Sequence, residues 1–116
     1  MNMIRALAAL TALSQETRLR VFRHLVRAGG KGMAAGDLAQ ALDVKQNTLS
    51  ANLSVLLNAG VVRNRREGRS IRYFVDLDGL RGLLSFLLED CCGGQADICA
   101  PVIESIACTC EGPCDD

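Results

Sequence analysis

"LSANLSVLLNAGVVRNRREGRSIRYFVD", residues 49–76, changes its periodicity midway. Up to Ala59, the residues Leu49, Leu53, Leu56 and Leu57 recur at the three- and four-residue steps of one helix face, and Gly60 follows as a C-terminal stop. Past it, Val61 and Val62, then Ile71, Tyr73, Phe74 and Val75, flank the charged centre Arg65-Arg66-Glu67-Gly68-Arg69. That pattern predicts a β-hairpin with Glu67-Gly68 near its turn. A helix from about Gln46 to Ala59 therefore runs directly into a basic hairpin.

Upstream of this stretch, Leu38, Ala41 and Leu42 predict a short helix beginning near Gly36-Asp37, and Asp43-Val44 a tight break before the longer one. Two helices joined by so short a turn read as a helix-turn-helix, and the hairpin behind them completes the layout of a winged helix. Nearer the N-terminus, "MNMIRALAALTALSQE" carries Met3, Leu7, Leu10 and Leu13 at helical spacing. It runs into an arginine-rich amphipathic segment with no plausible cleavage site, so it reads as a packing helix and not as a signal peptide. Ser14 is placed to cap a second helix, with Glu16 in its first turn. Leu19, Phe22, Leu25 and Val26 form the apolar stripe of that helix, and Arg18, Arg20, Arg23 and Arg27 take other faces. Gly29-Gly30-Lys31-Gly32 reads as a flexible connector.

The last expected helix, Leu77–Leu88, presents Leu77, Leu80, Leu84, Leu87 and Leu88 as one stripe that Leu83 widens. So few charges interrupt it that burial is expected against the first helix and against a second copy of the chain. The expected architecture is mostly α with a small β-hairpin: a winged helix-turn-helix dimerised through its N- and C-terminal helices. It occupies residues 1–92, and residues 93–116 form a Cys-rich, acidic, loosely structured tail with room for a short helix around 101–107.

A chain of 116 residues has the length of one domain. With three Phe, one Tyr and no Trp, its core must be filled by Leu, Val, Ile and Ala. No apolar run approaches the roughly 18 residues of a membrane span. Without an export signal the expected compartment is the cytoplasm, where thiols stay reduced. The zero net charge is made of two unequal parts. Residues 1–75 hold twelve basic side chains against four acidic ones, and residues 76–116 hold Arg81 against nine acids. The first part suits a polyanion and the second does not.

In a helix-turn-helix the N-terminal, outward residues of the second helix meet base edges. Here they are Gln46, Asn47, Thr48, Ser50 and Asn52. Amides pair bidentately with adenine, and hydroxyls adapt to bases or phosphates. The same residues would also serve as an ordinary solvated helix face. What favours double-stranded DNA is the adjacent hairpin with Arg63, Arg65, Arg66, Arg69 and Arg72. Arg66 and Arg69 flank its tip and could reach the backbone or minor groove, whereas Arg63 and Arg72 fit equally well as exposed strand residues.

"SQETRLRVFRHLV", "LSANLSVLLNAGVVRNRREGRSIRYFVD" and the leucine-rich helix after them resemble the ArsR/SmtB family of winged-helix repressors, over about residues 5–90. The resemblance implies a homodimer that binds an operator and leaves it when a metal or metalloid binds. Family recognition helices often carry a His pair and a following Lys, where this chain has Ala51-Asn52 and Ser54. Family sensors place their ligands in different elements. One arsenic site lies on the helix before the recognition helix, which here reads "GDLAQALD" and has no cysteine. The zinc-type site on the last helix uses Asp and His, and His24, the single histidine, sits among apolar neighbours in the second helix.

Six cysteines remain, all within the last 26 residues. In a reducing compartment such a cluster points to soft-ion binding or redox sensing ahead of structural disulfides. Zinc in a structural site wants four tetrahedral ligands, for which the adjacent pair Cys91-Cys92 is awkward. Trivalent arsenic accepts three thiolates in a pyramid, which Cys91, Cys92 and a returning Cys99 could supply, with Gly93-Gly94 as the hinge. A Cys pair after the last helix with a third Cys further on resembles another arsenic-responsive branch of the family. The expected inducer is As(III) or Sb(III), and no organic cofactor is called for. The alternatives are a thiol redox-sensing repressor of the same fold, or a Cd or Pb sensor. Cys108, Cys110 and Cys114 form a second cluster, expected to be auxiliary: a second soft-ion site, a capture site feeding the first, or an unstructured appendage. Enzymatic function is not expected, since no base stands near the thiols and no glycine loop cradles phosphate.

Overall fold

The structure, a computed structural model, describes residues 1–88. Met1–Phe86 form one compact unit; Leu87–Asp116 form a second, of which only the first two residues are described. The expected boundary at 92/93, the short helix around 101–107 and all six cysteines lie outside the described residues.

The stretch at residues 49–76 folds as its two periodicities predict. Helix α4 covers Gln46–Asn58 and buries Leu49, Leu53 and Leu56, with Leu57 half-buried beside them. It ends where Gly60 turns to a φ of 79°, a conformation open to glycine because it has no Cβ. The Gly60 amide then donates to the Leu57 carbonyl and the Val61 amide to that of Leu56, satisfying carbonyls the helix leaves unpaired. Strands β2 (Val62–Glu67) and β3 (Ser70–Val75) pair antiparallel from Val62↔Val75 to Glu67↔Ser70, leaving Gly68-Arg69 as the turn.

Ahead of α4, helix α3 (Ala35–Leu42) buries Leu38, Ala39 and Leu42. Ala41, expected inside, is exposed, and Ala39 takes its place. Asp43 caps α3 in the left-handed conformation, φ 54°, so only Val44 and Lys45 separate it from α4. A strand not foreseen in the sequence, β1 (Met33–Ala34), pairs with β3 through Met33↔Tyr73 and Ala34↔Arg72 and makes the sheet three-stranded, order β1-β3-β2. The glycine connector in front of it is ordered: Gly29–Lys31 form a 3-10 turn, and the Arg72 guanidinium donates to the Lys31 and Gly32 carbonyls at 2.9 and 3.3 Å.

The largest departures concern which face of a helix points inward. Helix α1 (Met3–Leu13) buries Ala6, Ala9 and Ala12 to at least 99%, while Met3, Ile4 and Leu7 are 61, 78 and 55% exposed. Small residues let α1 lie close on α2 and α4, and its large apolar side chains are left on the outside. In α2 (Glu16–Ala28) the buried residues are Val21, Phe22 and Leu25, whereas Leu19 and Val26, expected in the stripe, are exposed. Gln15 caps α2 by accepting the Arg18 amide; Ser14, expected in that role, ends α1 instead. Helix α5 (Leu77–Leu87) is capped by Asp76, which accepts the Gly79 amide. It buries Leu83 rather than the predicted stripe, and Leu77 and Leu84 are exposed. Large apolar residues thus stand in solvent on both helices expected to dimerise. None of the helices among the described residues is long and apolar enough to cross a membrane.

Candidate nucleic-acid interface

The first turn of α4 faces outward. Its N-cap residue Lys45 is extended and makes no side-chain cap, and Lys45, Gln46, Asn47, Thr48 and Ser50 are all exposed. The Asn47 side chain accepts the Thr48 amide at 2.9 Å, so one helix-terminal donor is used locally. Gln46, Thr48 and Ser50 present their side-chain donors and acceptors outward, as base reading requires. Lys45 adds a cation at the positive end of the helix; it is absent from the residues expected to face DNA, although its place just before Gln46 is a signal that would have found it.

Asn52 does not belong with this group. It is half-buried, its Oδ1 accepts from Arg18 Nη1 at 3.2 Å, and its Nδ2 donates to the Thr48 carbonyl at 3.1 Å. Its carboxamide is thus bonded to α2 and to its own helix, whereas the other expected base contacts of α4 are exposed. Arg20 is also used inside the fold, donating to the Leu42 carbonyl at the end of α3 at 3.4 Å. Part of the basic excess thus holds the helix-turn-helix against α2.

The wing sorts its arginines by strand parity. Val62, Tyr73 and Val75 share the core-facing side. On the opposite side, Arg63 and Arg65 lie over the Phe74 ring at 4.6 and 4.9 Å from its centroid. Arg65 and Arg72 are direct cross-strand partners, which would repel, but Glu67 accepts from Arg65 at 2.6 Å and from Arg72 at 3.1 Å. These hydrogen bonds, that from Arg65 foremost, hold the Glu67 carboxyl below its ordinary pKa. Arg63, Arg65 and Arg72 accordingly build the wing. Arg66 and Arg69 stand exposed at its tip, Arg66 bonded through Nε to the Gly68 carbonyl at 3.3 Å. An exposed polar helix turn and a cationic hairpin tip on one domain match the two elements that a winged helix offers to groove and backbone.

Among the described residues no three His, Cys, Asp or Glu come together as a metal site. His24 is half-buried in α2. The predicted metalloid ligands Cys91, Cys92 and Cys99 lie outside the described residues.

A helix-turn-helix domain family matches residues 13–65. A protein of Halobacterium salinarum assigned as an arsenical resistance operon repressor is 31% identical over 70 residues, 60% of this chain and 54% of its own length. The chain thus spans about half of that relative. The transcriptional repressor SdpR of Bacillus subtilis is 28% identical over 75% of this chain and 93% of its own. Among solved structures, the homodimeric winged helix-turn-helix DNA-binding domain Mb0332 of Mycobacterium bovis superposes with a TM-score of 0.62 at 26% identity, covering 76% of this chain and 82% of that one.

Proposed function

Because the chain belongs to the ArsR family of winged-helix helix-turn-helix regulators, we propose that it is a homodimeric DNA-binding repressor, released from its operator by As(III) or Sb(III) held on Cys91, Cys92 and Cys99. The observation that carries the DNA reading is the outward first turn of α4, with Gln46, Asn47, Thr48 and Ser50, on the same domain as the wing-tip arginines Arg66 and Arg69. Two copies joined through the exposed faces of α1 and α5 set two such turns into successive major grooves of a pseudo-palindrome. The homodimeric relative supports this assembly.

For the inducer, the support is the chemistry of the donors. Three soft thiols suit a soft trivalent acceptor, and they follow directly after the helix expected to join the subunits. Arsenite arrives as the trihydroxide; three thiols replace three hydroxyls and water leaves, with no change of oxidation state. A ligand that favours the DNA-free dimer must, by linkage, bind the DNA-bound dimer more weakly by the same factor.

The test begins with a duplex that the reduced chain selects from a randomised pool. Its binding should weaken steeply with salt, as phosphate contacts require. Selection of no duplex, or salt-independent binding, overturns the DNA reading. X-ray absorption at the arsenic edge should count three sulfur neighbours, and two in Cys99→Ser. An unchanged count in that variant removes Cys99 from the site.

A further inference from the structure

We infer that Arg18 is a positioning residue for DNA recognition, tying the recognition helix α4 to the end of the dimerisation helix α1 and so fixing the angle at which α4 meets a duplex. The inference rests on the proposed reading of α4 as the recognition helix. Arg18 sits in the first turn of α2, half-buried, with its backbone amide on the Gln15 cap. Its Nε donates to the Ala12 carbonyl, in the last turn of α1, at 2.6 Å. Its Nη1 donates to Asn52 Oδ1, in the middle of α4, at 3.2 Å. Asn52 in turn donates from Nδ2 to the Thr48 carbonyl in the first turn of α4, the turn that carries the outward polar residues.

The guanidinium is suited to this work. It is planar, permanently charged and presents several donors in fixed relative directions, so two acceptors on different helices are held at a set separation. A lysine would keep the charge and lose the fork. The carboxamide of Asn52 is likewise fixed at both ends, its oxygen on Arg18 and its nitrogen on Thr48. Ala12 closes the series of small residues with which α1 lies on the domain, and Met3, Ile4 and Leu7 on the outer side of that helix are left for a second copy. One side chain therefore connects the element proposed to set the spacing of the two subunits with the element proposed to read sequence.

Base readout depends on that angle far more than phosphate contact does. Bidentate pairing fails when a side chain is displaced by a fraction of its bond length, whereas a flexible cation follows the backbone. Loss of the link should therefore remove sequence preference and spare salt-driven binding to any duplex.

The experiment compares wild type, Arg18→Lys, Asn52→Ala and the double variant on two labelled duplexes of equal length: one selected by the wild-type chain from a randomised pool, and one unrelated. Thermal unfolding of each variant accompanies the titrations. Each single variant should lose about tenfold in affinity for the selected duplex, the scale of a hydrogen bond donated by a charged group, with affinity for the unrelated duplex unchanged. The double variant should lose no more than either single one, and a repeated selection should show the loss spread over the whole site. Additive losses, equal losses on both duplexes, or relaxation of preference at one base pair in Asn52→Ala alone overturn the inference; the last would make Asn52 a direct base contact. A wild-type chain that selects no duplex overturns the DNA reading together with this one, which distinguishes the two failures.

Discussion

Replacing Leu7 with alanine tests which side of α1 faces a second subunit. Leu7 is 55% exposed in the single chain, so about half of its side chain is still available for burial. Full burial of a leucine is worth roughly 1.5–3 kcal/mol, so about 1 kcal/mol per copy remains for the interface. A two-fold interface contains the residue twice, which brings the expected cost of Leu7→Ala to about 2 kcal/mol, or roughly 30-fold in the dimer dissociation constant. Because the side chain already lies outside the domain, unfolding of the isolated protomer should barely change. Ala9→Leu is the opposite case. Ala9 is fully buried, and larger side chains in a filled core cost about 1–3 kcal/mol. That variant should lower the denaturation midpoint. Sedimentation over a range of concentrations reads the first effect, and denaturant titration reads the second. A dimer constant unchanged by Leu7→Ala, or a wild-type chain that stays monomeric at high concentration, would refute the assignment of this face.

Gly32 holds a φ of 61°, and a Cβ there would meet the Tyr73 carbonyl and lie 2.6 Å from Phe74 Cδ2. Backbone strain and overpacking together should make Gly32→Ala cost about 2–4 kcal/mol by denaturant titration, while Gly30→Ala, whose Cβ meets nothing within 4 Å, should be near neutral. Equal midpoints for the two variants would refute the close approach of the connector to β3. At the wing tip, Arg69→Ala should weaken binding to every duplex alike and lower the salt slope by about 1 for each phosphate left without its cation; a change confined to one sequence would assign Arg69 to base reading. Glu67 has its carboxyl pKa lowered by Arg65 and Arg72, so its two ion pairs are intact above the ordinary value of 4.5 and are lost as pH falls through the lower, folded value. The Glu67 carboxyl carbon followed by NMR should titrate below 4.5; a midpoint at or above that value contradicts the bridge.

The fold was legible because local signals agreed. The leucine period of α4, the Gly60 stop and the alternation around Arg65–Arg69 each specify one local structure, and together they specify a winged helix. What failed to show was the choice between two apolar faces of one helix. In α1, Met3, Leu7 and Leu10 satisfy the helical period, but so do Ala6, Ala9 and Ala12, and close helix packing takes the small residues. Strand β1 was hidden because two residues carry no alternation; its place comes from pairing with β3, some forty residues on. The same distance hid the bond that Asn52 makes to α2. Its partner Arg18 lies 34 residues away, and nothing local distinguishes an amide that faces DNA from one that faces another helix. The wing arginines Arg66 and Arg69 could be separated from Arg63 and Arg72 because strand parity and turn position are local properties. The soft-ion reading of Cys91, Cys92 and Cys99 remains an expectation from donor chemistry and spacing, because these residues lie outside those described.

The proposed release from DNA by arsenic on these thiols is the step on which the function rests. It is tested most directly by the anisotropy of a labelled, wild-type-selected duplex, bound by reduced protein and titrated with arsenite. Release is expected from the wild-type chain and none from the Cys91→Ser/Cys92→Ser/Cys99→Ser variant, at equal starting affinity. Equal release from both proteins, or release by peroxide and not by arsenite, would contradict it.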